Sequence, residues 1–457
     1  MRPRLLACLT AGCLLIIVML ILLPRDEGNS GSQARGSSGL GPAGSFPALT
    51  AGMSARSLRS PAVFPAPSAE EIVAGKVVDF ARDRTRILHA MAKHFHVQVP
   101  AEAERFFESA KSGNWEHVRQ AFESLSALRK SEAGSEDLAT LWPVILETYG
   151  VAEAAHDWPA QKLLDYGKDV LGSLRPGMVY VGGTDPGRFI PTLLNETSDG
   201  DRHIVLTQNA LADNSYLKYI GFLYSDRLAT LTPEDSSGVF QEYLANAQKR
   251  AAHDQESPNE EKQIRPGEDV RLIDGRVQVS GQMAVMAINE KLFQLLMKKN
   301  PDAAFAMEQS FPLASTYAEA TPLGPIMELR VQDEQNALTQ DRAAQAIDYW
   351  RATTQQLLSD PKAADSSEVR KAYSNMASEQ AALFLDHKFS QQAEEGFRLS
   401  AELCPYSPEA VFRYVNLLLS QSRFEEAALV AENGAKADPD NSQFKDLFER
   451  VKALKSN

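Results

Sequence analysis

Cysteine is scarce in this chain: Cys8, Cys13 and Cys404 are the only ones in 457 residues. The first two fall inside an apolar segment and Cys404 stands alone in the rest, so no disulfide can form within the soluble part. Stability has to come from packed cores. Positive charge is also short. A formal net charge of -13 argues against a nucleic-acid surface, which needs clustered cations to displace counterions, and nucleic acid is not an expected partner. Catalytic signatures are missing as well: there is no GxSxG, no HExxH and no cysteine–histidine cluster. The glycine spacing matches neither a Walker loop nor the dinucleotide fingerprint. No catalytic residue, metal ligand or cofactor is therefore nominated. His94 and His96 lie two apart and point in different directions on a helix, which spoils them as a ligand pair.

What is present is a chain long enough for two or more domains, with an ordinary 44% hydrophobic content. Residues 5–23 are uncharged and apolar, bounded by Arg2 and Arg4 before and Pro24, Arg25, Asp26 and Glu27 after. At about 1.5 Å per residue such a segment nearly spans a hydrocarbon core of about 30 Å. A cleaved signal peptide is the alternative, but its apolar region is usually shorter and followed by a small-residue site, which this sequence lacks. The expectation is a membrane anchor over residues 1–26, single-pass in the inner (cytoplasmic) membrane. The charge asymmetry places the main body in the periplasm or otherwise outside the cytoplasm. Residues 27–68, rich in Gly, Ser, Ala and Pro, read as a flexible linker. A helical region over 69–170 follows, opened by the capping box Ser68-Ala69-Glu70-Glu71, with helices predicted at 69–95, 101–112, 115–128 and across 138–171. Trp142 and Trp158 are candidate core anchors.

Residues 171–332 alternate strand and helix, which predicts an α/β domain with a mixed, mostly parallel sheet of four to six strands. Strands are predicted at 178–181, 203–207, 228–231, 303–307 and 324–331, with a hairpin over 269–281 turning at Asp274-Gly275. The first strand breaks into Gly182, Gly183, Thr184, Asp185, Pro186 and Gly187, read as a loop before a helix at 188–196. In such folds ligands bind beyond the carboxyl ends of the strands. The candidate ligand-binding residues are accordingly Gly182, Gly183, Thr184, Asp185 and Arg188 on one loop, and Gln208, Asn209 and Asp213 on the next. Amides at the helix start can hold an anion and Arg188 can grip a carboxylate or phosphate. The bland alternative is that glycine and proline merely make the turn while Asp185 pairs with Arg188. Glu308, at the end of the strand 303–307, is a further candidate contributor to the site, with a surface or structural role as the favoured reading.

Residues 333–457 are predicted helical with a repeat: Ala393 and Ala427 lie 34 apart, as do Pro405 and Pro439. Thirty-four is the tetratricopeptide period, in which small residues recur where paired helices cross and proline recurs where the second helix stops. Phe389 sits one residue out of step with Phe424, which predicts a shifted turn. Helices at 336–359 and 443–455 are expected to cap the stack. This part resembles tetratricopeptide repeat proteins, and the resemblance implies a surface presented to a protein partner.

The segments PGMVYVGGTDPGRFIP and HIVLTQNALADNSYLKYI resemble the soluble portion of bacterial integral membrane proteins related to protein O-mannosyltransferases, across roughly residues 170–330. In that family the glycosyl-transfer carboxylates lie in the membrane-embedded part, and no residue here matches them. The resemblance implies an extracytoplasmic accessory domain. Together these readings favour a membrane-tethered scaffold or accessory protein, in cell-envelope glycan metabolism, with a protein partner at the repeats and the membrane at residues 5–23. The alternative is an enzyme or sensor for a glycan, sugar phosphate or similar polar molecule at the two loops.

Overall fold

The computed structural model describes residues 66–131, 136–273, 276–309, 319–329 and 337–455. The expected anchor at 5–23 and nearly all of the linker lie outside them. Among the described residues no helix is long and apolar enough to cross a membrane. The described chain is mostly helical, with 16 helices around a small mixed sheet.

Five helices form the amino-terminal flank: α1 (Ala69–Phe95), α2 (Ala101–Ser112), α3 (Trp115–Lys130), α4 (Glu136–Asp157) and α5 (Ala160–Leu171). The capping box at the start of α1 is closed in both directions: Glu71 N donates to Ser68 Oγ at 3.1 Å and Ser68 N donates to Glu71 Oε2 at 2.8 Å. Phe106 and Phe107 of α2, Leu125 of α3 and Leu141 of α4 close the core between them, and Trp142 and Trp158 are buried as expected.

The sheet contains β1 (Val179–Gly182), β2 (Ile204–Thr207), β5 (Phe305–Met307), β6 (Thr321–Leu323) and β7 (Ile326–Leu329) in the order β2-β1-β5-β7-β6. Val179 pairs with Ile204 on one side and Phe305 on the other, both parallel; β5–β7 and β7–β6 are antiparallel. The pairings are thus evenly divided, which corrects the mostly parallel sheet of the sequence reading. The strand expected at 228–231 does not form. Leu228 and Leu231 are buried, but the backbone of Ala229 is satisfied by the Asn300 side chain, which accepts from its N–H at 2.8 Å and donates to its carbonyl at 2.9 Å. The predicted hairpin forms as β3 (Asp269–Ile273) and β4 (Arg276–Ser280), a separate two-stranded ribbon. Helices α6 (Asp185–Glu196), α7 (Asn214–Tyr224), α8 (Pro233–Glu256) and α9 (Gln282–Lys299) complete this part.

The carboxyl-terminal helices are α10 (Gln340–Ser359), α11 (Pro361–Ala364), α12 (Ser367–Asp386), α13 (Ser390–Leu403), α14 (Pro408–Ser420), α15 (Phe424–Ala437) and α16 (Ser442–Lys455). Each from α12 onward packs on the next, and α10 packs on α13. Helices α13 and α15 start and end 34 residues apart, and so do the left-handed residues that precede them, Lys388 (φ 64) and Ser422 (φ 60). The turn before α13 is therefore in register; Phe389 corresponds to Arg423, and the offset from Phe424 is one of side chains only. Ala393 and Ala427 are fully buried at equivalent crossings. Helix α12 is buried nearly all round because it also packs on the sheet: Gln380 Nε2 donates to the carbonyls of Gly324 and Ile326 at 2.9 Å each, while Gln380 Oε1 accepts from Trp350 Nε1. Tyr373, Met376 and Ala377 share one core with Tyr166, Tyr180 and Ile326.

Candidate functional site

The carboxyl ends of β1 and β5 flank a topological switch, since the chain leaves β1 toward β2 and leaves β5 toward β7 and β6. That crevice is where a ligand is expected. It holds the protein's own carboxylate instead. Glu308, which directly follows β5 and is 1% exposed, accepts from Gly183 N at 3.0 Å and Thr184 N at 3.1 Å on Oε2, and from Thr184 Oγ1 at 2.7 Å and Tyr166 OH at 2.9 Å on Oε1. The amides expected to bind an anion do bind one. The glycines follow from this closeness: a Cβ at Gly187 would stand 1.7 Å from Glu308 Oε2, and one at Gly183 would stand 2.0 Å from the Gln309 carbonyl oxygen.

The helix after β1 begins three residues earlier than predicted. Thr184 is its N-cap, accepting from Gly187 N at 3.0 Å, with Asp185 and Pro186 in the first turn. Gln208 Nε2 donates to the Gln309 carbonyl at 3.1 Å, Asn209 Nδ2 donates to the Gly183 carbonyl at 2.7 Å, and Asp213 caps α7 through Ser215. Gly182 packs against the carbonyl of Gly187. Each of these nominated residues thus has a bond or contact that builds the loop. The side chains of Asp185 and Arg188 make no hydrogen bond or ion pair among the described residues.

Arg188 is 8% exposed, yet its guanidinium has no hydrogen-bond or ion-pair partner among the described residues. It lies over the rings of Phe189 at 4.9 Å and Tyr216 at 5.5 Å. The Tyr216 hydroxyl accepts from Thr207 N at the end of β2, so the guanidinium sits between α6 and α7 beyond β1 and β2. Its nitrogens are not among the fully enclosed unpartnered atoms, which leaves the fork reachable from solvent. Asp185 makes no ion pair with it. The Asp185 side chain reaches the surface, but surrounding protein desolvates the carboxyl and raises its pKa, with the charge of Arg188 pulling the other way.

Helix α4 forms the facing wall. A Cβ at Gly150 would fall 2.3 Å from the Phe189 ring, so α4 and α6 are pressed together there, and Glu153 lies one turn on along the same face of α4. Glu153 accepts from Tyr149 OH at 3.0 Å. Burial pushes its carboxyl up to about 7, against the Tyr149 hydrogen bond and with the charges of Asp157 and Asp185 adding to the rise. Burial likewise raises Asp157. Trp115 completes the wall, stacked on His156 with centroids 4.9 Å apart and 5.6 Å from Tyr149. Neither Tyr149 nor Glu153 carries a motif; the i,i+4 spacing on a predicted helix was the only sequence signal. A carboxyl raised in the folded state binds more protons folded than unfolded between its two pKa values. Stability is therefore fully present below about pH 4.5 and lost as pH rises through about 7. Glu153→Gln should flatten that slope in thermal melts taken between pH 4.5 and 7.5; an unchanged slope would show that Glu153 is not its source.

Two surface clefts lie elsewhere. One of about 440 Å³ runs between α2 and α3 by Arg105 and His117, and one of about 260 Å³ lies between α8 and α9 by Arg250 and Lys291. Arg250 there is already paired with Glu268. Arg188, by contrast, has no acceptor among the described residues. Comparison with family models, curated proteins and solved structures finds no match to this chain. Chemically, the arrangement offers a guanidinium fork for one anionic group, with a carboxyl of raised pKa on the facing helix.

Proposed function

We propose that the chain is a binding protein tethered to the inner membrane by residues 5–23, with its body outside the cytoplasm, and that it recognises a small polar anion at Arg188. Recognition rather than turnover is the favoured role, in the metabolism of cell-envelope glycans. One observation carries the reading: a guanidinium 8% exposed and without an acceptor. Burying a charge without a partner is costly, and an arriving carboxylate or phosphate offsets that cost while forming charge-assisted bonds.

The carboxyl-terminal array is proposed as a tetratricopeptide-like surface for a protein partner. The array supports this second reading because the large apolar side chains most open to solvent among the described residues, Leu385, Leu429 and Leu454, all lie on it. Since α12, apart from Leu385 near its end, is occupied by the sheet, α14 to α16, which carry Leu429 and Leu454, are the part left for such a partner.

A thermal-shift series on the detergent-purified full chain, with sugar phosphates, uronic acids, simple carboxylates and amino acids, tests the first reading. At a hundredfold excess over Kd a ligand stabilises by about 2.7 kcal/mol. At least one compound should raise the melting temperature of the wild type by several degrees and leave Arg188→Met unmoved. An equal shift in both proteins, or none in either, would remove the Arg188 site.

A further inference from the structure

We propose that the molecule held at Arg188 is a zwitterion, a carboxylate bearing an ammonium group, with the carboxylate on the guanidinium and the ammonium against Glu153 and Asp185. This rests on the anion-binding reading and adds the second charge. The first support is the imbalance of charge around the fork. Asp185 on α6 and Glu153 and Asp157 on α4 make no ion pair among the described residues, and Arg188 is the cation whose charge reaches Asp185. Other arginines nearby are engaged: Arg119 pairs with Glu116 and Glu123 on α3, and Arg129 packs on Trp142. Arg188 acts on Asp185, Asp185 and Asp157 act on Glu153, and His156 acts on Asp157, so Glu153 itself has no cation acting on it.

Candidate ligand classes can be sorted by that imbalance. A phosphate dianion would satisfy the fork but leave one negative charge unneutralised beside an acidic wall, where like charges in a partly desolvated site repel. A neutral sugar would leave the guanidinium without its anion. A plain monocarboxylate satisfies Arg188 and leaves the carboxyls as they are. An ammonium-bearing carboxylate satisfies both ends. Glu153 is half-buried and Asp185 and Asp157 reach the surface beside it, and desolvation by the surrounding protein is the largest influence raising each carboxyl, which an ammonium would offset. The carboxyls do not converge closely enough to form a metal-ligand group among the described residues.

Isothermal titration of the detergent-purified full chain decides the matter. The probes are the twenty amino acids and alanyl-alanine, with L-lactate and propionate as the amine-free counterparts of L-alanine, matching hydroxy acids for any other amino acid that binds, and inorganic phosphate. At least one amine-bearing probe should bind tenfold or more tightly than its amine-free counterpart, and Arg188→Met should abolish binding of both. Glu153→Gln and Asp185→Asn should each weaken the amine-bearing probe about tenfold while leaving the amine-free one unchanged. Because the ammonium requires an ionised carboxylate, affinity should rise from pH 5.5 to 7.5 for the amine-bearing probe alone, and Glu153→Gln should remove most of that rise. The groups acting on Glu153 are Tyr149 and Asp157 of its own helix and Asp185 of α6, with Arg188 acting in turn on Asp185 and His156 on Asp157. Phosphate or an amine-free acid binding as tightly, still dependent on Arg188, would overturn the zwitterion and keep the anion site. No binding by any probe would overturn both.

Discussion

Glu308→Ala is expected to cost about 3–5 kcal/mol, because buried neutral donors lose their acceptor, a large part of the total stability of an ordinary domain. The carboxylate accepts four hydrogen bonds while 1% exposed. Its loss leaves Gly183 N, Thr184 N and Tyr166 OH without acceptors in a place water reaches poorly. Each unsatisfied buried donor costs about 1–3 kcal/mol. Glu308→Gln keeps one acceptor but turns an amide NH₂ toward N–H donors, so a smaller loss of about 2 kcal/mol is expected. Gly187→Ala reaches the same carboxylate from the other side, since its Cβ would overlap Oε2. The double variant Gly187→Ala/Glu308→Ala should therefore cost less than the sum of the single ones. Denaturation of the detergent-purified chain measures this. A loss below about 1 kcal/mol for Glu308→Ala would mean that the loop does not depend on the carboxylate.

The second large effect is expected in the helical flank. Arg84, 1% exposed on α1, donates from Nε to Glu147 Oε2 of α4 at 2.8 Å, and the same oxygen accepts from Tyr219 OH of α7. Glu196 of α6 lies 3.6 Å from Arg84 Nη1. Four helices are thus joined by one ion network, and the arginine cannot shed its charge to escape a broken one. Glu147→Ala is expected to destabilise by about 3 kcal/mol because a buried cation loses its best partner. Arg84→Met together with Glu147→Leu should recover most of that loss, since an apolar pair of similar volume carries no desolvation cost. Thermal melts of the single and double variants check the order. A double variant worse than Glu147→Ala would show that the network stabilises by more than its desolvation takes away.

Much of the helical framework was legible in the chain itself. Ser68 and Glu71 mark the first residue of α1, Pro100 and Gly113 bound α2, and α9 begins and ends where its apolar spacing does. These are local signals, set by capping and periodicity within a few residues. The 34-residue period is local in the same sense, and it places the turns before α13 and α15 in the same left-handed conformation. Strands were read less well. β6 contains Pro322 and survives because it is the edge of the sheet, where a missing donor costs nothing. At 228–231 an apolar run was pulled out of strand geometry by one asparagine far along the chain.

The amino-acid sequence by itself determined the helices, their caps, the repeat period and the positions of the loops after β1 and β2, because each depends on neighbours in the chain. Only the tertiary structure decided what those loops do. Gly183 and Gly187 look like ligand-approach glycines until Glu308, more than a hundred residues later, is placed between them. Arg188 looks like a partner for Asp185 until the helix starts early and no ion pair forms between them. Glu153 had no signal until α4 was laid on α6. Hydrogen bonding and desolvation at a site are sums over groups brought together from distant segments, and spacing along one chain does not encode them.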